Sequence, residues 1–507
     1  MVGIPGKSKG CHTCRRRKIK CDLQRPSCVR CMQSGRVCEG YKRGPVFLNR
    51  TAQGWQKRSR LEEVLPRHDA PQVPPGDDLR TFQQQSQSRP ELYRALYRPP
   101  LQVNPSSAIK AQFQNIFIES YLPSNPKVGP GLTQVWLWEA IRVNNPGKAL
   151  EYSLRALCVS RVGRINRDQD LILKGNATYG LALKALHRSL ESQELAGKDD
   201  TLAACLILSI YELFESTTNS TEGHENHISG IERLVAWRGP GQHSSPLAKA
   251  LLKNVVYTSM VKGLQYRKAS IIKDLIDKTQ WWDIQGELFA KGHTLAALLE
   301  TLDRSMNSGE VDAAAAAKYI EQCCELDSDF QNWYRQLLKE SPSPMYWKSG
   351  PSGKEPEILF ASLYHAHLML DFWALRLALS TTIDIICSRA PKEIPLPTRN
   401  TVEHLKNEHG SSRQINLATD IMLSLQYCMN DEYGLASSQK CLFSGRVALY
   451  ALRRYPSEQL ASYEAKFLDL TLKKGLRYAQ DISKGMRSSW TAVVAERGPL
   501  QQSSDAN

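Results

Sequence analysis

The sequence predicts two folded domains of different kinds, a small cysteine-rich domain at the N-terminus and a large all-α helical domain, joined by a disordered linker. Three observations predict this organisation. Six of the 13 cysteines fall within residues 11–38, almost all of the net charge lies in the first 60 positions, and helical hydrophobic spacing fills most of residues 107–490.

The positive charge is confined to one end of the chain. The formal net charge is +15, and residues 1–60 contain 16 Lys and Arg side chains but only two acids, Asp22 and Glu39. The rest of the chain is nearly neutral, with 50 basic and 49 acidic side chains. This distribution excludes a uniformly basic, histone-like protein. A short basic block beside a neutral domain is typical of a nucleic-acid-binding module attached to a folded body.

Neither a secretion signal nor a membrane span is expected from the sequence. The N-terminus lacks the apolar core of a signal peptide. The most apolar stretches are residues 201–213, which are too few to cross a bilayer, and residues 358–386, which contain two histidines, Asp371 and Arg376. Both stretches are predicted to be buried helices. We expect a soluble intracellular protein whose thiols stay reduced, which excludes a disulfide-stabilised secreted scaffold.

The six N-terminal cysteines form an internal duplication with the spacing C-x2-C-x6-C-x6-C-x2-C-x6-C. The half with Cys11, Cys14 and Cys21 repeats 17 positions later as Cys28, Cys31 and Cys38. Cysteines two residues apart in a reducing compartment are typical zinc ligands. Two tetrahedral zinc ions need about eight ligand positions, so six sulfurs suffice only if two thiolates bridge both ions. This predicts a binuclear Zn2Cys6 cluster, bridged by the first cysteine of each half, Cys11 and Cys28.

Two other metal sites compete with this interpretation. One is a single zinc site with four cysteine ligands and two spare thiols, and the other is an iron–sulfur cluster. Neither accounts for the duplicated pattern of six cysteines. The other seven cysteines are spread through apolar segments and are expected to be small buried hydrophobic residues.

The two halves of the duplication differ in charge. Five of the six residues between Cys14 and Cys21 are basic, namely Arg15, Arg16, Arg17, Lys18 and Lys20, whereas Arg36 is the single basic residue between Cys31 and Cys38. Lys and Arg side chains bind phosphates and read guanine, so the first half is predicted to face nucleic acid on a short helix from about Thr13. A solvated basic face or a nuclear-import signal is the simpler alternative.

The pattern C-x2-C-R-R-R-K-I-K-C-D-x5-C-x2-C-x6-C resembles the fungal Zn2Cys6 (zinc binuclear cluster) transcription factor family over residues 10–41. The resemblance implies a helix end in the DNA major groove over a CGG triplet, with Lys18 reading bases and the backbone around Arg17 and Lys18 accepting from cytosine. It also implies phosphate contacts by Arg15 and Lys20, and a loop between the halves that contains Pro26.

Residues 46–106 are predicted to be a disordered linker, because they are polar, contain eight prolines and include a short glutamine run. The zinc domain then covers residues 1–45, and residues 491–507 form a disordered tail. Many members of the family have a dimerising coiled coil after the cluster. Fewer than three heptads with apolar a and d positions can be found here, so dimerisation is expected to use the helical domain instead.

The large domain, residues 107–490, is predicted to be all-helical and regulatory, without the alternating strands and hairpin turns of a β-sheet. Helical spacing or strong helix formers occur in twelve segments: 107–122, 131–144, 148–165, 167–193, 200–216, 226–238, 246–264, 311–339, 357–388, 413–430, 437–454 and 458–489.

One segment of the large domain, residues 227–240, resembles the helical middle region of fungal Zn2Cys6 regulators. Its Ile228, Ile231, Leu234 and Val235 share one face, and Gly239-Pro240 should end the helix. Gly230 is expected to let another helix approach closely.

These features predict a nuclear, sequence-specific DNA-binding transcription factor of RNA polymerase II genes and not an enzyme. No phosphate-binding loop, nucleophile elbow or H-E-x-x-H zinc motif is found in the sequence. Two Zn²⁺ ions, CGG-containing double-stranded DNA and co-regulators of the transcription machinery are the expected cofactor and partners, with a possible homodimer and no membrane. A pathway-specific regulator of a metabolic gene cluster fits the family. The alternative is a nuclear interaction scaffold whose basic head binds nucleic acid without specificity.

Overall fold

The structure is a computed structural model, and it describes residues 11–17, 19–24, 28–34, 38, 105–122, 135–215, 222–280, 282–308, 313–341, 343–349, 356–389, 403–405, 407–455, 458–474 and 476. The chain divides into two compact units, Met1–Gln85 and Ser86–Asn507. We call the described residues between 11 and 38 the head, and those between 105 and 476 the body. Most of the predicted linker and all of the predicted tail lie outside the described residues.

The head contains two short helices, α1 (His12–Arg16) and α2 (Val29–Gln33), which begin 17 residues apart. Each helix follows the first cysteine of one half of the duplication. Cys28 occupies the N-cap of α2, where its sulfur accepts a hydrogen bond from the backbone N–H of Cys31. Sulfur therefore plays the capping role that a Ser or Asp oxygen usually has.

The body consists of fifteen described α-helices and one hairpin, which confirms the predicted large helical domain. In chain order the elements are α3 (Pro105–Tyr121), α4 (Val135–Ile141), α5 (Lys148–Ile165), α6 (Gln169–Glu191), α7 (Gln193–Ala196), α8 (Asp199–Phe214), α9 (Glu222–Arg238), α10 (Pro246–Tyr266), α11 (Lys273–Lys278), α12 (Ile284–Ser308), α13 (Ala313–Glu340), β1 (Tyr346–Ser349), β2 (Glu357–Phe360), α14 (Leu363–Arg389), α15 (Ser411–Cys428), α16 (Gly434–Leu452) and α17 (Glu458–Lys473).

Helix α8 lies at the centre of the N-terminal part of the body. All of its residues from Thr201 to Tyr211 are buried, in agreement with a sequence that is apolar around the whole helix. It packs against α4, α5, α6, α9 and α10. Helix α14 has the same role further along the chain and is buried through most of its length, between α12, α13, α15 and α16. No helix in the described part of the chain combines the length and apolarity needed to cross a bilayer.

Local signals account for several helix boundaries. The Asp168 carboxylate accepts hydrogen bonds from the N–H groups of Asp170 (2.9 Å) and Leu171 (3.0 Å) at the start of α6. At the start of α10, the Ser245 hydroxyl accepts from Ala248 N–H at 2.9 Å, and Pro246 takes the first helical position. These caps satisfy backbone donors that have no partner within the helix.

The prediction for residues 227–240 is confirmed in all but one detail. Helix α9 ends at Arg238, and Gly239 follows with φ = +70°, a conformation that favours glycine. The predicted apolar face (Ile228, Ile231, Leu234 and Val235) is buried. The expectation for Gly230 is wrong, because this residue is exposed and a Cβ there would meet no atom within 4 Å.

The hairpin and the helices α7, α11 and α12 were not predicted from the sequence. Strands β1 and β2 form an antiparallel hairpin that pairs Tyr346 with Phe360, and β2 occupies the start of a segment that was predicted to be helical. Each strand is four residues long, too short for a detectable alternation of apolar side chains. The hairpin is stabilised by aromatic packing of Phe360 on Trp373 and Tyr427.

Helix α12 was missed because two glycines lower its helical propensity. One of them, Gly292, faces α10 so closely that a Cβ would lie 2.3 Å from the sulfur of Met260. The close packing of α12 against α10 therefore favours glycine at position 292, and the same glycine lowers the helical propensity of the sequence there. At the C-terminal end, α17 stops at Lys473, and the predicted continuation to residue 489 lies almost wholly outside the described residues.

A buried ion pair joins α14 to α16 within the core. The Lys440 Nζ atom lies 2.9 Å from Asp371 Oδ2, and both side chains are 2% exposed. The ammonium group also lies 3.9 Å from the centroid of the Tyr257 ring and 5.0 Å from that of Phe289. Burial lowers the pKa of Lys440 and raises the pKa of Asp371, so each charge depends on the other.

Removing one member of this pair should destabilise the body strongly. We expect Lys440→Met to lower the free energy of unfolding by about 3–5 kcal/mol, because Asp371 is left as an unpaired buried charge. Adding Asp371→Leu to Lys440→Met should restore most of the loss. Denaturant unfolding monitored by circular dichroism measures both changes.

The partly exposed pair Lys273–Asp277, one helical turn apart at 2.7 Å, supplies the control for this experiment. Lys273→Met should change stability by about 0.5 kcal/mol or less. Equal effects of Lys440→Met and Lys273→Met would contradict the energetic role of the buried pair.

A second prediction concerns Gly434, the first residue of α16. Its φ is +69°, and a Cβ would lie 2.7 Å from the carbonyl oxygens of Tyr121 and Leu122 at the end of α3. Gly434→Ala should therefore destabilise the body by about 3 kcal/mol, from backbone strain and overpacking together. Gly230→Ala, on an exposed helical face, should be neutral or stabilising by up to about 1 kcal/mol. Thermal unfolding of the two variants tests the contrast, which would fail if Gly434→Ala were equally harmless.

Candidate metal centre and nucleic-acid interface

Six cysteine sulfurs converge in the head as two overlapping groups of four. The sulfurs of Cys11, Cys14, Cys21 and Cys28 lie within 4.8 Å of one another, and so do those of Cys11, Cys28, Cys31 and Cys38. The two groups share Cys11 and Cys28, whose sulfurs are 3.6 Å apart. Two cations of tetrahedral preference could therefore be held side by side with two common ligands.

The sulfur–sulfur distances match the size of a zinc site. A tetrahedron with Zn–S bonds of about 2.3 Å has S···S edges of about 3.8 Å. The Cys11–Cys31 distance is 3.8 Å and the Cys14–Cys28 distance is 3.6 Å. These separations are much longer than a disulfide bond of about 2.05 Å. None of these six described cysteines is in a disulfide, and the donor set is the soft thiolate type that zinc prefers.

The duplication in the sequence is reproduced as pseudo-twofold symmetry in the hydrogen bonds. The N–H of Cys14 donates to the sulfur of Cys11 at 3.3 Å, and the equivalent N–H of Cys31 donates to Cys28 at the same distance. A second matched pair of bonds, each 3.5 Å long, joins Cys11 N–H to the sulfur of Cys21 and Cys28 N–H to that of Cys38. Such N–H donors stabilise thiolates, as a metal centre requires.

Burial keeps water away from most of the sulfurs. Cys11, Cys14, Cys28 and Cys31 are 0% exposed, and Cys21 and Cys38 are half-buried. Burial raises the pKa of the Cys14 and Cys28 thiols, so thiolates at these positions need a cation close by. Zn²⁺ would supply that charge and would hold the two short helices in place.

The basic run lies on and directly after α1. Arg15 is in this helix, and Arg16, Arg17 and Lys20 are exposed. The structure does not describe the Arg15 side chain, and Lys18 lies outside the described residues, as does Pro26 in the predicted loop between the halves. The described part of the run thus places three basic side chains on the surface of the first half.

Arg17 makes a contact that sequence reasoning missed. Its Nη1 donates to the Ser34 hydroxyl at 3.0 Å, and that hydroxyl donates to the Cys31 carbonyl oxygen, also at 3.0 Å. Arg17 and Ser34 occupy equivalent positions of the two halves, 17 residues apart. The offset of the repeat could have suggested this contact, because equivalent residues near a twofold axis meet each other.

Asp22 also links the two halves. Its carboxylate accepts hydrogen bonds from the N–H groups of Gln24 at 3.4 Å and Arg30 at 3.3 Å. The second of these bonds reaches the first turn of α2. The acid that follows Cys21 therefore helps to position the helix of the other half.

Arg238 and two histidines of the body, His227 and His367, have structural partners. Arg238 pairs with Asp199 at 2.5 Å, and His367 contacts the Ser437 hydroxyl at 2.9 Å. His227 lies 3.4 Å from the Tyr179 hydroxyl, and burial lowers its pKa to about 4. Among the described residues, groups of three or more possible metal ligands occur in the head alone.

Two family models match the chain, one in each unit. The fungal Zn(2)-Cys(6) binuclear cluster domain matches residues 9–45, and the fungal specific transcription factor domain matches residues 144–312. The first match covers all six cysteines and, together with their geometry, confirms the predicted cofactor of two zinc ions. The second match begins just before α5 and ends just before α13.

Curated relatives are similar over limited regions. An uncharacterized protein of Emericella nidulans is 27% identical over 182 residues, 33% of this chain and 38% of that protein. The aspercryptin biosynthesis cluster-specific transcription regulator of the same organism is 54% identical over 39 residues, 8% of this chain and 6% of its own length.

A third relative, arginine metabolism regulation protein II of Saccharomyces cerevisiae, is 59% identical over 32 residues, 6% of this chain and 4% of that protein. The chain thus spans well under half the length of these curated relatives. No solved structure matches the chain.

The shared pair of sulfurs leads to a prediction for metal binding. Full-length protein should contain two zinc ions per chain. Cys28→Ser should weaken the binding of both ions, whereas Cys31→Ser should weaken one, because Cys28 belongs to both groups of four and Cys31 to a single group. Titration with a chromogenic zinc chelator, followed by metal analysis, resolves the two affinities.

Cys324→Ser, at a half-buried thiol of the body, is the control and should keep two tightly bound ions. Identical chelator titrations for Cys28→Ser and Cys31→Ser would argue against Cys28 as a bridging ligand. One zinc per chain in the unmodified protein would rule out the binuclear cluster.

Proposed function

We propose that this chain, which carries a fungal Zn(2)-Cys(6) binuclear cluster domain and a fungal specific transcription factor domain, is a nuclear, sequence-specific regulator of RNA polymerase II genes that reads CGG half-sites. One observation carries the proposal. Two overlapping groups of four sulfurs fix a short helix whose following turn presents basic side chains on one half of a duplicated domain.

The metal ligands assigned by this proposal are the six cysteines of the head, with Cys11 and Cys28 bridging. Their shared membership in both sulfur groups and their 3.6 Å separation support the bridging role. Zinc bound there is structural, because all eight ligand positions are filled by sulfur and none is left for substrate. Its role is to fold the head and to set the direction of α1.

The DNA contacts assigned by this proposal come from the first half of the duplication. Lys18 reads bases at the end of the helix, and Arg15 and Lys20 hold phosphates, as the family resemblance implies. The exposed Arg16 adds positive charge on the same half. Arg17 is oriented by Ser34 across the two halves, so we assign it a positioning role in addition to its charge.

One CGG triplet gives too little specificity for a gene regulator. Such a triplet occurs about once in 64 steps along each strand, and each correct base pair contributes roughly 1–3 kcal/mol. We therefore propose that the body brings a second head to the DNA through a homodimer or recruits co-regulators. The basic charge of the chain is concentrated in the head. We therefore assign contacts with DNA to the head, and contacts with a second copy or with co-regulators to the helical body.

The proposed class of target genes follows from the regulators with similar heads. The names of two relatives describe regulation of a biosynthesis cluster and of arginine metabolism. We propose by analogy that this chain regulates a set of metabolic genes. We propose no enzymatic activity for it, because both matched domains are those of transcription factors.

The assignment of Lys18 predicts a loss of sequence preference on mutation. Selection from a pool of random duplexes with full-length, zinc-loaded protein should enrich CGG-containing sites. Lys18→Ala should reduce the preference for CGG over mutated triplets by about 1–3 kcal/mol per half-site, because guanine loses a hydrogen-bond donor. Competition binding with fluorescent duplexes measures this difference.

Lys184→Ala, at an exposed lysine of α6, is the matched control and should leave the preference unchanged. Unchanged CGG preference in Lys18→Ala would remove the assigned role from this residue. Salt-sensitive binding without any enriched sequence would instead support the second candidate, a scaffold with a nonspecific basic head.

A further inference from the structure

Helix α6 presents large apolar side chains on a face that no described element covers. Leu173 is 62% exposed and Leu181 is 48% exposed. The opposite face of the helix is buried at Gly175, Ala182 and Leu186, and the helix packs on α5 and α8. Single exposed leucines are common on protein surfaces, whereas two leucines that share one helical face form a candidate contact surface.

The exposed face of α6 is symmetrical in sequence. Ala177 is exposed and lies midway between Leu173 and Leu181, four residues from each. The exposed Asp170 and Lys184 lie seven residues from Ala177, one toward each end of the helix. At 3.6 residues per turn, the other four side chains point within about 40° of the direction of Ala177. We call these five residues the α6 stripe.

A second copy of this chain complements the α6 stripe in one direction. A two-fold axis at Ala177 places Leu173 of one copy opposite Leu181 of the other, and Asp170 opposite Lys184. Each contact then occurs twice, because both copies use the same surface. A parallel pairing would instead bring each aspartate to an aspartate and each lysine to a lysine, so the charges select the antiparallel arrangement.

The two charges of the α6 stripe are not engaged within the body. Asp170 and Lys184 are exposed and have no ion-pair partner among the described residues. The neighbouring Lys174 does not oppose the pairing, because the same axis places it opposite Gly180 of the second copy. The space over Gly180 is open, since a Cβ there would meet no atom within 4 Å.

The size of the α6 stripe indicates a weak dimer. The small side chain of Ala177 at the axis lets the two helices approach closely. Helix α6 has 23 residues and is therefore about 35 Å long. One pair of such helices buries less than the roughly 1,600 Å² of a standard interface, so we expect a dissociation constant in the micromolar range. Two heads bound to one duplex would then strengthen the association through avidity.

We propose that the α6 stripe is the dimer interface of this protein, and that a second copy binds there antiparallel about an axis at Ala177. The purpose of this dimer rests on the proposed function, because a head that reads one triplet needs a second head on the same DNA. The interface itself depends on residues of the body alone.

Sedimentation equilibrium of full-length, zinc-loaded protein tests the interface without DNA. Between about 1 and 200 µM, the unmodified protein should show a reversible monomer–dimer equilibrium. Leu181→Gln should weaken the dimer at least about tenfold, because apolar surface is no longer buried at two places in the interface. Leu338→Gln, at a leucine of α13 that is 49% exposed, is the matched control and should leave the equilibrium unchanged.

Charge reversal tests the direction of the pairing. Asp170→Lys and Lys184→Asp should each weaken self-association at least about tenfold, because like charges then meet at both ends of the interface. An equal mixture of the two variants should form a heterodimer about as stable as the unmodified dimer, since every lysine again faces an aspartate. Arg233→Asp, at an exposed arginine of α9, should leave self-association unchanged.

Three results would overturn the proposal. They are a monomer at every concentration, a dimer that either Leu181→Gln or the charge reversals leave unchanged, and the absence of a heterodimer in the mixture. The first result would leave the α6 stripe to a co-regulator. All substituted side chains are exposed, and circular dichroism confirms that each variant is folded before association is compared.

Failure of this interface is distinguishable from failure of the function proposed for the head. Lys184→Asp should weaken the dimer and keep the preference for a single CGG triplet, because that preference belongs to the head. Lys18→Ala should lose the triplet preference and keep the dimer. A monomer that still selects CGG would refute the interface alone, and a dimer that binds DNA without preference would refute the proposed function alone.

Discussion

The core of the head is formed mainly by cysteine side chains, and the arrangement of its two helices depends on the metal ions that these sulfurs bind. Its described buried side chains are four cysteines and Thr13. Helices of five residues such as α1 and α2 are too short to be stable alone, and a domain of fewer than about 40 residues rarely folds without metals or disulfides. Zinc binding and folding of the head are therefore one process, and the placement of the basic side chains follows from it.

The body is stabilised by different forces. It has one continuous hydrophobic core, in which α8 and α14 are buried on nearly all sides. Charges inside this core occur as pairs, such as Lys440 with Asp371 and Arg376 with Asp327. Paired buried charges contribute less to stability than apolar contacts do. A packing that separates the two partners is strongly destabilising, however, because it leaves a buried charge uncompensated. They thereby specify how the helices of the C-terminal part meet.

The sequence allowed the head to be predicted in more detail than the body, for a physical reason. Ligands of one metal cluster must be close in the chain when the domain is so short, and their spacing is directly visible. In the body, the decisive contacts join distant segments. Helix α12 was missed because Gly292 is required by Met260 of another helix, and β2 was missed because its aromatic partners lie on α14 and α15.

The symmetry of the head explains where specificity can arise. Three pairs of equivalent residues face each other across the pseudo-twofold axis: Cys11 with Cys28 at 3.6 Å, Cys14 with Cys31 at 3.9 Å, and Arg17 with Ser34 at 3.0 Å. The first two pairs preserve the symmetry, and the third breaks it, because an arginine stands opposite a serine. A bond across the axis draws Arg17 toward the other half. Arg16 and Lys20 of the first half are exposed and have the charge to meet a phosphate backbone. A duplicated metal scaffold thus acquires a single nucleic-acid-binding side through substitutions in one of its two copies.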